Sequence, residues 1–267
     1  MIFTILGSTG FIGKNLVNYL EDQGIEIQTP DMRCDDITKI NLGHIIYAIG
    51  ELKQTKNIEN FTQSHIGYLN RILNKSNFDS FLYCSATRVY SKSKTTHENT
   101  SLFTNSIDPR NLYTNLKILG ESICLSYNNP KIRIARLSNV TGNNFNSNLF
   151  LPSIIRDAVS KKNIELFTTL ESEKDYILID DVIKLLPKIS LEGKSQIYNV
   201  ASGINISNKE IVSRIKDITK CTLSFSKDIF DYSFPKINID KITSEFNFKP
   251  QSVLDHLEYL VNCYRNK

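Results

Sequence analysis

Short apolar runs alternate with amphipathic stretches along most of the chain. Residues 2–6 form an apolar run and predict the first strand. Over residues 11–22, Ile12, Leu16, Val17 and Leu20 fall on one face, which predicts a helix that Gly24 ends. Residues 25–29 read as the second strand. Residues 44–48 are continuously apolar, as suits a strand covered on both faces. The interval between those two strands is too short for a helix, a strand and a second helix, so no full extra strand is expected there. Helices are predicted over 59–75 and 111–127, and strands over 81–84, 132–137 and 197–200. The 111–127 helix carries an apolar stripe of Leu112, Leu116, Leu119 and Ile123. Residues 91–108 are polar and read as a loop. Further on, helices over about 150–161, 180–190, 207–218 and 252–264 are interleaved with short strand-like pieces.

Strands alternating with helices imply βαβ units and a parallel sheet. The fold class is therefore α/β, a doubly wound parallel sheet with a small C-terminal lobe. The expected division assigns about 1–140 and 175–203 to the sheet domain, and about 141–174 and 204–267 to the lobe.

Composition narrows the setting. A net charge of +4, with no basic block, gives no sign of a nucleic-acid or membrane-surface partner. Cys34, Cys84, Cys124, Cys221 and Cys263 are scattered and odd in number, which fits neither a disulfide framework nor a zinc site. Nor do His44, His65, His97 and His256 pair with carboxylates or thiols at metal-ligand spacing; they read as surface or packing residues, and no metal is expected. No charged leader precedes the first strand and no apolar run is long enough to span a bilayer, so a cytoplasmic location is the expectation.

Gly7, Gly10 and Gly13 lie between the first strand and the first helix. A glycine turn there lets the backbone approach a pyrophosphate, which the helix N-terminus favours through its free N–H groups and dipole. This position makes the domain Rossmann-type and dinucleotide-binding. Asp31 follows the second strand, where an acid can accept hydrogen bonds from the adenosine ribose and favour NAD. Arg33 could instead meet the 2′-phosphate of NADP, and the alternative for Asp31 is a turn acid after Pro30.

Four Tyr-x-x-x-Lys pairs occur. Tyr90/Lys94 lies in the polar loop, and a proline interrupts both Tyr127/Lys131 and Tyr232/Lys236. Tyr113/Lys117 alone lies in a helical pattern, with its two side chains neighbours on one face. A free tyrosine is too weak an acid to serve as a base at neutral pH. A lysine cation beside it would favour the phenolate, letting the phenol exchange a proton with a substrate hydroxyl while hydride moves to or from a cofactor.

Taken together, these motifs resemble an extended short-chain dehydrogenase/reductase of the NAD-dependent nucleotide-sugar epimerase/dehydratase family. The similarity also rests on Tyr47-Ala48-Ile49-Gly50 and on Ser85 through Tyr90. Further matches are Arg136 through Gly142, Lys174 through Val182, Asp240-Lys241 and Phe248-Lys249-Pro250. The resemblance implies that Gly7, Thr9, Gly10, Phe11, Ile12, Gly13, Asp31, Arg33, Ala48, Ile49 and Gly50 hold the cofactor, with Tyr113 and Lys117. It makes Tyr113 the acid/base, tuned by Lys117.

The family's substrate-positioning Ser or Thr would fall at Ala86, so either Ser85 or Thr87 is expected to serve, Thr87 first. The family's 4,6-dehydratases carry Asp-Glu where this chain has Thr87-Arg88, which disfavours elimination of water. Arg88, Asn139 and Lys174 are the implied substrate contacts; Asn139 could instead cap a strand end, and Lys174 could be a solvated surface residue. Asp180 and Asp181 read as caps of the helix that follows.

The implied function is an NAD(P)-dependent epimerase or keto-sugar reductase acting on a nucleoside-diphosphate sugar, with homodimers and a place in surface-polysaccharide synthesis. The competing reading is a dinucleotide-binding sensor or assembly factor with little turnover, toward which Ala86 leans.

Overall fold

The structure, a computed structural model, describes residues 1–50 and 57–267. In chain order the elements are β1 (Ile2–Leu6), α1 (Phe11–Asp22), β2 (Glu26–Gln28), β3 (His44–Tyr47), α2 (Ile58–Thr62), α3 (Tyr68–Lys75), β4 (Ser80–Ala86) and α4 (Leu112–Ser126). They continue with β5 (Ile132–Leu137), β6 (Asn139–Thr141), α5 (Phe150–Ser160), β7 (Asn163–Thr168), β8 (Glu173–Leu178) and α6 (Ile179–Glu192). The last are β9 (Ile197–Val200), β10 (Asn205–Ser207), α7 (Asn208–Thr219), β11 (Thr222–Phe230), α8 (Asp240–Phe246) and α9 (Val253–Arg265).

Two compact units emerge. The first comprises Met1–Leu137, Val182–Val200 and Asp240–Phe248. The second comprises Ser138–Asp181, Ala201–Ile239 and Lys249–Lys267. The sequence-based division differs by assigning 175–181 to the first and 240–248 to the second; α8 had no periodic signal to mark it.

The first unit is built on a six-stranded parallel sheet in the order β2-β1-β3-β4-β5-β9. The chain leaves β1 toward β2 and then returns to its other side for β3. The strand order therefore reverses between β1 and β3, where open α/β sheets bind ligands at their carboxyl ends. Among the described residues no strand pairs with the outer edge of β2. A 3-10 turn at Ile37–Lys39 occupies the connection instead. Leu6, Ile45, Tyr47, Leu69, Ile72, Phe81, Tyr83 and Ile134 form a continuous buried core.

The predicted 59–75 helix is α2 and α3 joined by a π-helical turn at Gln63–Gly67. In α4 the buried residues are Thr114, Leu116, Lys117, Gly120, Glu121 and Cys124, while Leu119 of the predicted stripe is 47% exposed. Lys117 and Glu121 turn inward on this helix because each finds a buried partner.

In the second unit, β10-β8-β6 form one sheet and β7 pairs in parallel with β11. Helices α5, α7 and α9 contribute Leu151, Ile155, Ile211, Ile215, Leu257 and Val261 to a core with Ile164 and Leu166. Asp175 of β8, almost wholly buried, accepts hydrogen bonds from Ser202 N and Oγ and from Ile204 N. The first turn of α6 contains both Asp180 and Asp181. Asp181 is a cross-link rather than a cap: its carboxylate accepts from the backbone and side-chain amides of Gln251. Among the described residues, no helix is long and apolar enough to cross a membrane.

Candidate active site

The β1–α1 turn is compressed in a way only glycine permits. Gly7 has φ +89°, and a Cβ there would lie 2.8 Å from the carbonyl carbon and oxygen of Ala48. The loops after β1 and β3 thus meet backbone to backbone at the reversal point. A Cβ on Gly13 would fall on the Gly7 carbonyl oxygen, so α1 begins against the turn. Gly10 is the N-cap of α1, with no side chain capping it and no acidic residue in the first turn. The first N–H groups of α1 are therefore not taken by a side-chain cap, and no carboxylate competes with a ligand phosphate. These features fit a dinucleotide pyrophosphate.

At the tip beyond β2, Asp31 and Arg33 bind each other. Arg33 Nε and Nη2 donate to the Asp31 carboxylate at 2.9 and 2.8 Å. This hydrogen bonding holds the Asp31 carboxyl down at about 2 and leaves it charged. The two candidate ribose-edge residues are therefore a single bidentate pair, not independent alternatives.

Lys117 is buried and donates from Nζ to the Cys84 carbonyl at 2.8 Å. Its ammonium lies 5.0 Å from the Tyr83 ring centroid and 5.9 Å from that of Tyr113. Burial lowers its pKa to about 8, against the raising influence of Cys84 and Glu121. Tyr113 is half-buried. Burial raises its phenol to about 12, and the cation opposing that rise is Arg88. Arg88 thus joins Lys117 as a cation near the phenol.

Ser85 is buried, and its hydroxyl donates to Glu121 at 2.5 Å. Glu121 also takes a bidentate grip from Arg136, with Nη2 to Oε2 at 2.6 Å and both side chains 3% exposed. Arg136 continues to Tyr90 Oη at 2.6 Å, and Tyr90 donates to Asn199. The serine is thus one member of a buried network. Thr87, at the start of the Thr87–Tyr90 3-10 turn, makes no hydrogen bond through its hydroxyl among the described residues. Arg88, on the same turn, is exposed.

Sequence reasoning read His65 as a surface or packing residue and did not connect it with Tyr113. It is fully buried on the π turn, edge-on to Tyr113 with ring centroids 5.6 Å apart. No periodic signal marks it; only the neighbourhood of Tyr113 does.

Asn139 and Lys174 belong to the second unit. Asn139 Nδ2 donates to the Asp175 carbonyl at 2.7 Å. The Lys174 ammonium lies 4.5 Å from the Tyr232 ring centroid and 5.4 Å from that of Phe150, which are cation–π distances.

The family model described as the NAD dependent epimerase/dehydratase family matches residues 3–70 and 68–201. The dTDP-4-dehydro-6-deoxyglucose reductase of Escherichia coli is 26% identical over 153 residues, which cover 55% of this chain and 46% of the reductase. The match thus spans a little under half of that relative's length. An NAD-dependent NDP-hexosamine 5,6-dehydratase, TunA, superimposes with a TM-score of 0.83 at 14% identity, covering 100% of this chain and 98% of TunA. The UDP-glucuronic acid 4-epimerase of Bacillus cereus, solved with UDP-glucuronic acid and NAD, gives 0.80 at 19% identity, with 100% and 99% covered. At such identities the likeness is one of fold.

Proposed function

The chain belongs to the NAD-dependent epimerase/dehydratase family, and from that premise we propose that it is an epimerase or keto-sugar reductase acting on a nucleoside-diphosphate sugar. NAD, when bound, supplies hydride transfer. The uncapped start of α1 and the Gly7–Ala48 contact support its pyrophosphate site, with Gly7, Thr9, Gly10, Phe11, Ile12 and Gly13 around it. Ala48, Ile49 and Gly50 form the opposite loop, and Asp31 with Arg33 faces the adenosine ribose.

One observation carries the catalytic reading: a half-buried Tyr113, its phenol held protonated by burial, whose ring centroid lies 5.9 Å from the ammonium of the buried Lys117. In the resting enzyme Tyr113 therefore holds the proton that a substrate oxygen receives on reduction. In the reverse sense it must take one, and Arg88 lowers the cost of the phenolate. Lys117 uses one of its three N–H donors on Cys84 and keeps the others for ribose hydroxyls. Thr87 is preferred over Ser85 for the substrate oxygen, because the Ser85 hydroxyl is already engaged by Glu121. Arg88 is a substrate contact as well. In the second unit, Asn139 and Lys174 serve the diphosphate.

The test is a panel of UDP-glucose, UDP-glucuronic acid and dTDP-4-dehydro-6-deoxyglucose with NAD and NADP, run on the parent and on Tyr113→Phe. At least one sugar should turn over, and the variant should lose about 10²–10⁴-fold in kcat while still binding NAD. NAD binding with no turnover of any sugar would favour the sensor reading instead. Full activity in Tyr113→Phe would remove Tyr113 from the chemistry.

A further inference from the structure

The helical segment before β4 is not regularly α-helical throughout. Its middle five residues, Gln63–Gly67, widen into a π turn, and His65 sits within it. Wide turns of this kind are rare and concentrate at functional sites, where they re-aim a side chain. Contacts with Phe61, Tyr113 and Gly50 help to place the imidazole. Behind it lies Phe61, one turn earlier and fully buried, with ring centroids 4.8 Å apart. In front lies Tyr113, perpendicular at 88° and 5.6 Å. Beside it lies Gly50, where a Cβ would come within 2.9 Å of His65 Cε1 and 3.4 Å of Lys117 Nζ. Edge-to-face packing of this kind has a preferred direction, so it fixes a ring's plane as well as its place.

We propose that His65 is a positioning residue, whose imidazole edge sets the plane of the Tyr113 ring and keys it to the backbone at Gly50. The inference rests on Tyr113 being the acid/base. Phe61 backs the imidazole, so Tyr113 cannot relax into the space behind it. The same imidazole fills volume next to the phenol ring that water would otherwise enter. Around Tyr113 the charged and titratable groups include Arg88 on the 3-10 turn after β4, Tyr83 and Cys84 on β4, and Lys117 on α4 itself. None of them supplies the packing that His65 does.

The test compares His65→Leu and His65→Gln, which remove the ring in an apolar and a polar way, with His65→Phe, which keeps an aromatic edge. On the nucleotide sugar that the panel identifies, both ring-less variants should lose about ten- to a hundredfold in kcat, the scale of a small misplacement of a reacting group. Their KM and NAD affinity should stay within about threefold of the parent, and His65→Phe should recover most of the rate. Carbon-13-labelled tyrosine NMR, which needs no substrate, should show the Tyr113 phenol of a ring-less variant falling from about 12 toward the ordinary tyrosine value, because water reaches it. Either ring-less variant suffices if the other does not fold. Parent-like kcat and an unmoved Tyr113 resonance in a folded ring-less variant would overturn the proposal, as would a His65→Phe enzyme as slow as the ring-less ones. Failure of Tyr113→Phe to lose activity would instead overturn the underlying reading.

Discussion

Lys117 Nζ donates to the carbonyl oxygen of Cys84 at 2.8 Å, thirty-three residues earlier in the chain, where both residues are buried. The bond ties α4 to the end of β4 and places an ammonium inside the protein at the expense of its hydration. That loss of hydration is the main cause of the lowered pKa of this residue.

Folded Lys117 releases its proton near pH 8, against 10.5 for the ordinary lysine. Between those values the unfolded chain binds more protons, so this group makes stability rise with pH across that window. Below it the buried charge costs on the order of 3 kcal/mol. In Lys117→Met the contribution is absent. The stability gap between parent and variant should therefore move in the parent's favour by that order from pH 8 to pH 10.5. Urea midpoints measured at the two ends of the window check it, and a gap independent of pH would contradict it.

Ser85 and Thr87 separate by their partners. Ser85→Ala removes a hydrogen bond to Glu121 but leaves the Arg136 grip, so it should cost about 1–3 kcal/mol of stability and little turnover. Thr87→Val should do the reverse, with near-parent stability and a loss of about tenfold or more in kcat/KM. Melting curves set beside steady-state rates for the two variants decide between them.

Glu121 and Arg136 form a buried ion pair, 3% exposed on both sides. Truncating one member strands the other, and Glu121→Ala should cost about 3–5 kcal/mol. Glu121→Gln keeps the shape and part of the hydrogen bonding and should cost less. Equal losses for the two variants would mean that packing, not charge, holds the network.

The Asp31–Arg33 pair predicts a switch in cofactor preference. Asp31→Asn removes the carboxylate that occupies the guanidinium, freeing Arg33 for a 2′-phosphate; NADP should gain relative to NAD. Arg33→Ala should shift the preference toward NAD. Dissociation constants for both dinucleotides, measured by fluorescence titration, provide the readout. An unchanged ratio in both variants would place selectivity elsewhere.

Gly13 allows α1 to start against the Gly7 carbonyl. A Gly13→Ala variant must shift the helix or the turn, so NAD affinity should fall by about tenfold or more, with about 1–3 kcal/mol lost in stability. Retained affinity would show that the cradle tolerates the shift.

The local pattern carried much of this protein. The spacing of Gly7, Gly10 and Gly13 after an apolar run is a local requirement of one turn, so it can be read without the rest of the chain. The same is true of the period of α1, the continuous apolar run of β3, and the helical context that set Tyr113 and Lys117 apart from the other Tyr-Lys pairs.

What only the tertiary structure decided was direction and partnership. That Lys117 turns to Cys84 and Glu121 to Arg136 depends on strands brought beside α4 by sheet order, which no window of sequence contains. For that reason the buried face of α4 includes Lys117 and Glu121 beside Leu116 and Cys124, although its apolar stripe suggested otherwise. The engagement of Ser85, the mutual capture of Asp31 and Arg33, and the edge-on meeting of His65 with Tyr113 are likewise contacts made in space. Periodicity reports which side of an element avoids water. It does not report which buried polar group will find a partner, because that partner comes from a different part of the fold.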